Sequence, residues 1–108
     1  MTLPYWTIPP LWAGETGVIL GNGPSLPTSI AELRELPRSC KVIAINDALR
    51  LAPWADAHYF CDARWATWLD KIEKGKTRAD LLREFRGLKI TLDNQSLWNS
   101  FPDVKPIR

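Results

Sequence analysis

Small or polar residues follow four apolar segments of this sequence, each at the point where a strand is predicted to end. The segments span residues 17–20, 41–45, 57–61 and 88–92. The residues that follow them are Gly21-Asn22, Asn46-Asp47, Asp62 and Asp93-Asn94. Because the carboxyl ends of parallel strands meet at one edge of a sheet, these residues should converge where open α/β sheets bind ligands. In the simpler interpretation they only form turns, in which Asn and Asp are common.

The segment GNGPSL after the first strand contains few side chains. Gly21 and Gly23 leave backbone N–H groups uncovered, and a helix that begins a few residues later favours an anion. Asn22 and Ser25 add side-chain hydrogen-bonding groups, while Pro24 stiffens the turn and removes one donor. The spacing matches neither the dinucleotide fingerprint GxGxxG nor the phosphate-binding loop GxxxxGK[ST]. The segment therefore predicts either a cradle for phosphate or ribose, or only a turn.

The other strand ends supply candidates for the rest of a ligand. Asn46, Asp47 and Asp62 are predicted to contact a sugar or base. Arg64 has the chemistry to clamp a phosphate, although a solvated position in a helix explains it equally well. Asp47, Asp62 and Asp93 are candidate ligands for Mg²⁺ beside a phosphate, and turn or cap positions are the alternative.

Aromatic residues near the predicted site have two interpretations. Trp54 follows Pro53 in the connection between the second and third strands, where it could cover the crevice. Trp65 could stack on a base, but Trp65 and Trp68 share one helical face and core packing explains them too. His58, the only histidine, falls inside the third strand and is expected to be a packed or edge histidine rather than a base. The sequence offers no other evident general base.

Strands that alternate with helical segments predict an α/β domain with a mostly parallel sheet. Ser29 and Glu32 suggest a capping box for a helix over 29–36, and a single helical turn is expected before Pro53. Helices are also predicted over 64–74 and from the N-cap Thr77 to Gly87. We expect one Rossmann-like domain over 1–108, with a four-stranded sheet flanked by helices. Residues 1–15 would form an extended arm rich in Pro and Trp, and 94–108 an irregular tail.

Composition narrows the function further. The 108 residues carry a net charge of +2 and are 45% hydrophobic, which favours neither nucleic acid nor an anionic membrane as a partner. No apolar run is long enough to span a bilayer, and the N-terminus lacks the pattern of a signal peptide, so a cytoplasmic location is expected. Cys40 and Cys61 fit reduced thiols and form no metal motif. A sheet this small leaves a flank exposed, so either a homo-oligomer or a packed N-terminal arm is expected to cover it.

An apolar strand followed by GNGPSL resembles the start of the family 42 sialyltransferases, which use CMP-sialic acid. It also resembles proteins similar to 6-hydroxymethylpterin pyrophosphokinase, which open with a strand and a GxGPSL loop. VIAIND places Asn46 where the sialyltransferases hold a nucleotide-contacting asparagine, and HYFCD places Asp62 at a further polar contact. The segment VIAINDALRLAPWADAHYFCDARWATW, with GLKITLD, is similar to short phage and prophage proteins of unknown function. The resemblance covers residues 12–93.

The resemblance implies a nucleotide-binding half without transfer machinery. The sialyltransferases carry their catalytic histidine and acceptor site in a C-terminal half, for which this chain has no matching residues. We therefore expect a non-catalytic binder of a nucleotide-like phosphate ligand, for example a phage protein that sequesters a signalling nucleotide in the host cytoplasm. A small glycosyl- or (pyro)phosphoryl-transferase is the first alternative. A structural or interaction protein is the second.

Overall fold

A computed structural model describes residues 6–60, 75–92 and 101–107. In chain order its elements are β1 (Thr16–Leu20), α1 (Leu26–Arg34), β2 (Cys40–Ile45), a 3₁₀ helix (Asn46–Arg50), β3 (Ala57–Phe60), α2 (Arg78–Glu84), β4 (Leu88–Leu92) and β5 (Lys105–Ile107). The predictions for the helix over 64–74 and for Cys61, Asp62, Arg64, Trp65, Trp68 and Asp93 lie outside the described residues. Neither α1, α2 nor the 3₁₀ helix is long and apolar enough to cross a membrane.

The five strands form one sheet in the order β1-β2-β3-β4-β5, and all pair in parallel. The prediction of an α/β fold with a parallel sheet is confirmed, but the predicted count of four strands is wrong. The extra strand, β5, lies in the tail that was expected to be irregular. Pro106 lies in its centre, where proline normally removes a ladder donor. However, the Pro106 carbonyl accepts from the Trp6 N–H at 2.7 Å, at the outer edge of the sheet. The N–H that proline lacks would point to the same outer side, so the ladder with β4 loses nothing.

The described helices lie on one face of the sheet. The strands follow one another across the sheet in chain order. Because crossovers between parallel strands are right-handed, connections that all advance in one direction pass over the same face. The core joins that face to the helices through Leu20, Val42, Ala44 and Phe60 from the sheet, Leu26, Ala48, Leu49, Ala79, Leu82 and Phe85 from the helical side, and Phe101 and Val104. The strand order does not reverse within the described residues, so the sheet there lacks the switch point at which doubly wound folds bind ligands.

The opposite face of the sheet is also apolar. Side chains alternate along each strand, and the register places on this face Ile19, Ile43, Ile45, Ala57, Tyr59, Leu88, Ile90, Leu92 and Ile107, with Lys41 and Lys105 as its charged residues. Ala57 and Ile90 are buried, whereas Ile19 is 70% exposed and Leu92 38%. The face is therefore covered over β3 and part of β4 and open at β1.

The N-terminal arm joins the two edges of the sheet. The Trp6 N–H reaches β5, whereas Glu15 lies 3.7 Å from the ammonium of Lys41 and leads into β1. Residues 6–15 thus span a sheet whose four strand spacings total about 19 Å.

Helix α1 begins three residues earlier than predicted. The Leu26 N–H donates to the Gly23 carbonyl at 3.1 Å, which closes a turn with Pro24 and Ser25 at its centre. Ser25 (φ −83°, ψ −11°) is the N-cap but makes no side-chain cap bond, and Pro27 lies in the first turn. Because proline has a helical φ and tolerates the start of a helix, the turn runs directly into α1. The predicted Ser29–Glu32 capping box is wrong, since Ser29 lies inside the helix.

Helix α2 begins as predicted, at the N-cap Thr77. The Thr77 hydroxyl accepts from the Asp80 N–H at 3.1 Å, and the Asp80 carboxylate accepts from the Thr77 N–H at 3.0 Å. The helix ends at Glu84, before the predicted stop at Gly87. Gly87 has a different role, because a Cβ there would lie 2.5 Å from the carbonyl oxygen of Asp56.

Candidate functional site

A cavity of about 620 Å³ opens beside the carboxyl ends of β1 and β2, and we call it the loop cavity. Its polar or charged lining residues are Asn22, Asp47, Arg50, Lys76 and Glu84, and its other lining residues are Gly23, Leu26, Pro27, Leu49, Leu51, Pro53, Leu81 and Phe85. Small-molecule sites typically have volumes of about 300–1,000 Å³, mostly apolar walls and a few polar groups. The loop cavity fits that description.

The structure gives Gly21 and Gly23 no internal reason to be glycine. Among the described glycines only Gly14 and Gly75 have positive φ, so the backbone at Gly21 and Gly23 is open to any residue. A Cβ at either position would meet nothing within 4 Å. Gly23 nevertheless lines the loop cavity, where a side chain would occupy space that a ligand could use.

Asn22 connects the loop to the end of β2. Its side-chain Nδ2 donates to the Ile45 carbonyl at 3.2 Å, which orients the amide between the two strand ends. Asn22 is exposed and lines the loop cavity, so a ligand there can reach its side chain.

The start of α1 offers fewer donors to an anion than the sequence suggested. Pro24 and Pro27 have no N–H, and the Leu26 N–H is used by the Gly23 carbonyl. Pro24 and Ser25 are exposed but do not line the cavity. Positive charge must therefore come mainly from side chains across the cavity.

Arg50 and Lys76 supply that charge, and the sequence analysis missed both. The Arg50 guanidinium donates to the Lys76 carbonyl at 3.1 Å, so the 3₁₀ helix and the residues before α2 meet here. Lys76 also pairs with Glu84, but these side chains are 50% and 56% exposed. Such an exposed pair is weak, so Lys76 can turn toward a ligand at little cost. Arg50 lies three residues after Asp47, on the same side of a 3₁₀ helix, and this spacing could have identified it.

Asp47 does line the cavity, but it is held by Arg78. The Nε and Nη2 atoms of Arg78 donate to its two carboxylate oxygens, each at 2.7 Å. The Arg78 side chain is only 8% exposed, so the pair anchors α2 to the 3₁₀ helix. A carboxylate whose two oxygens accept from one guanidinium is poorly suited to bind Mg²⁺. The described residues contain no group of three His, Cys, Asp or Glu side chains that could hold a metal.

Asn46 occupies a special backbone conformation between β2 and the 3₁₀ helix, and it does not line the loop cavity. Its φ is +49°, a left-handed conformation that asparagine tolerates better than most residues. Its carbonyl accepts from Nε2 of His58 at 2.9 Å. Its side-chain oxygen is buried without a hydrogen-bond partner among the described residues. The expected contact between Asn46 and a ligand in the loop cavity therefore finds no support in its position.

His58 is buried, which agrees with the first of its two expected positions, packed or at an edge. Its ring packs near those of Phe60 and Phe85, with centroid distances of 5.7 and 6.1 Å. Burial lowers the pKa of His58 from 6.5 to about 4, against the opposing effects of the Asn46 carbonyl and the charge of Asp47. The imidazole is neutral near pH 7, and Nε2 carries its proton because a carbonyl only accepts.

Trp54 is not among the residues that line the loop cavity. It packs against the core and lines a second cavity of about 350 Å³, together with Cys40, Lys41 and the end of α1. That cavity lies at the amino end of β2, whereas the GNGPSL loop follows the carboxyl end of β1. Cys40 is a free, half-buried thiol there.

The structure thus brings together three of the predicted site residues at the loop cavity: Asn22, Gly23 and Asp47. It places Gly21, Pro24, Ser25, Asn46 and Trp54 outside the lining. The predictions for Asp62, Arg64, Trp65 and Asp93 fall outside the described residues.

Comparisons with known proteins add no family. The chain matches no protein-family model, and neither the curated proteins nor the solved structures give a match.

Proposed function

We propose that the loop cavity binds a nucleotide-like ligand with its phosphate near Gly23, Arg50 and Lys76. The observation that carries the proposal is Gly23, which lines the cavity although neither its φ nor any internal contact requires glycine. The basic side chains lie across the same cavity, where they can neutralise a phosphate.

The apolar wall suits the remainder of such a ligand. Leu51, Leu81 and Phe85 offer a surface for a base, and Asn22 offers an amide to a ribose or base edge. The volume, about 620 Å³, is sufficient for a mononucleotide. Arg50 and Lys76 are the two positively charged side chains of the lining, and the carboxylate of Asp47 beside them is held by Arg78.

The resemblance of GNGPSL and VIAIND to nucleotide-dependent transferases supports the same ligand class and a Rossmann-like relationship. We extend the proposal to binding without turnover, as in a phage protein that sequesters a signalling nucleotide. His58 is buried and bonded to a carbonyl, so its imidazole is poorly placed to act as the base of a transfer reaction.

Thermal melting against a panel of nucleotides, nucleotide sugars and cyclic nucleotides tests the proposal, with and without Mg²⁺. A ligand at 100 times its dissociation constant stabilises the folded chain by about 2.7 kcal/mol, which raises the melting temperature by several degrees. Chromatography of the ligand after incubation then separates sequestration, which leaves it intact, from turnover.

Two substitutions in the same loop form a matched pair. Gly23→Val fills part of the cavity and should abolish the shift, whereas Gly21→Val lies outside the lining and should retain it. Both should leave the melting temperature of the free protein nearly unchanged, since both glycines are exposed and an added Cβ has no heavy atom within 4 Å beyond its chain neighbours. A panel without any shift, or an equal shift in both variants, would overturn the proposal.

A further inference from the structure

The two edges of the sheet are treated differently by this chain. At β5 the edge carries Pro106, which has no N–H, and the arm covers it through the bond from Trp6. At β1 the only strand partner is β2, and no backbone hydrogen bond links β1 to another described segment. An uncovered edge strand presents a row of donors and acceptors to any strand that can pair with it.

Strand β1 also lacks the features that normally protect an edge. Its sequence, TGVIL, contains no charge and no proline. Thr16, Gly17 and Ile19 are exposed, and Ile19 is 70% exposed, the largest fraction among the exposed large apolar side chains. Strand β1 thus combines exposed apolar surface with an outer backbone edge that has no partner among the described residues.

We propose that β1 pairs antiparallel with β1 of a second copy of this chain, around a two-fold axis at Val18. This register pairs all five residues of the strand. It places Ile19 opposite the partner copy's Gly17 and on the same face of the joined sheet, since directly opposed residues share a face.

In this register the Ile19 side chain of one copy packs over Gly17 of the other. A Cβ at Gly17 would meet nothing within 4 Å, so the space beside it is open. The exposed Ile19 side chain fills that space in both copies at once, as a self-complementary interface requires. The dimer would form one continuous ten-stranded sheet with the two loop cavities at separate ends.

Molecular mass measured by light scattering over a concentration series tests the dimer. The wild type should show twice the mass of one chain, and Ile19→Lys should halve it by placing a charge at the edge. Leu92→Lys is the control, because Leu92 is exposed on the same face but lies on the internal strand β4. It should remain dimeric. A wild type that is monomeric at every concentration would overturn the proposal and leave the edge to a strand of another protein.

A cysteine substitution tests the register. Val18→Cys places two thiols opposite each other at the two-fold axis and should give a covalent dimer under mild oxidation, whereas Leu92→Cys should not. If the wild type is a dimer but Val18→Cys gives no cross-link, the proposed pairing is ruled out. A dimer that persists in Ile19→Lys would also rule out pairing through β1.

Discussion

Asp47 and Arg78 lie 31 residues apart in the sequence and meet through two hydrogen bonds of 2.7 Å. Asp47 is the second residue of the 3₁₀ helix and Arg78 the first of α2. The guanidinium is almost buried, so its charge depends on the carboxylate for compensation. This contact joins the 3₁₀ helix to α2, two elements whose residues line the loop cavity.

We predict that Asp47→Asn destabilises the protein by about 1–3 kcal/mol, because the buried guanidinium loses a charged partner. Urea denaturation measures the change. Glu84→Gln is the control: it also removes a carboxylate from an ion pair, but an exposed one, and should have little effect. Equal effects of the two substitutions would show that burial does not strengthen the Asp47–Arg78 pair.

Gly87 is the one described glycine whose replacement must clash. An added Cβ would lie 2.5 Å from the Asp56 carbonyl oxygen and 2.6 Å from the Phe85 ring. The Leu88 N–H also donates to that carbonyl, which restrains the backbone on both sides.

Gly87→Ala should therefore lower stability by about 1–3 kcal/mol, as overpacking does in a tight site. Gly21→Ala, whose Cβ meets nothing, should be close to neutral. Thermal melting of the two variants is sufficient, and an unchanged melting temperature for Gly87→Ala would show that the turn before β4 can move apart.

At the scale of elements, α2 depends on its cap. It has seven residues, which is short for a helix, and both halves of the Thr77–Asp80 capping box are formed. The bonds from Thr77 lower the pKa of Asp80, so this cap is weakened when acid protonates the carboxylate. Through Leu81 and Phe85 the helix forms one apolar wall of the loop cavity.

We predict that Thr77→Ala costs about 1 kcal/mol of stability, because the Asp80 N–H loses its acceptor. Thr77→Ser retains the hydroxyl and should preserve most of the stability. Denaturant unfolding compares the three proteins, and equal losses for Ala and Ser would argue against the capping bond as the cause.

At the scale of the whole molecule, the buried imidazole of His58 links folding to pH. Its pKa is about 4 in the folded chain, against 6.5 in its ordinary state, so the unfolded chain binds this proton first. Stability from this group is complete above pH 6.5 and falls as the pH drops toward 4. The shift corresponds to about 3 kcal/mol over that interval.

We expect the free energy of unfolding to fall between pH 6.5 and 4, with His58→Gln showing a flatter profile, since glutamine retains a side-chain amide donor but does not titrate. Urea titrations at several pH values measure both proteins. Because His58 is the only histidine, NMR of its ring protons reports the folded pKa directly. A midpoint near 6.5 would contradict the burial argument.

Patterns within short segments determined much of this protein from sequence alone. The alternation of apolar strands with helical segments predicted the parallel α/β sheet, and Thr77 with its first turn predicted the start of α2. Three residues of the loop cavity, Asn22, Gly23 and Asp47, were also predictable, because parallel strands bring their carboxyl ends to one edge. These features depend on neighbouring residues and on the period of the apolar pattern.

Contacts between distant segments decided the rest. Pro106 is tolerated in β5 because this strand lies at the edge of the sheet, where the missing N–H would face away from β4. Both carboxylate oxygens of Asp47 accept hydrogen bonds from Arg78. The segment between β2 and β3 packs so that Trp54 lies at the amino end of β2, away from the loop cavity. Helix α1 begins after a turn closed by Gly23 and Leu26, and not at the predicted Ser29–Glu32 capping box. In each case the local sequence allowed more than one role, and the tertiary structure selected one because it determines which groups are buried and which partners they can reach.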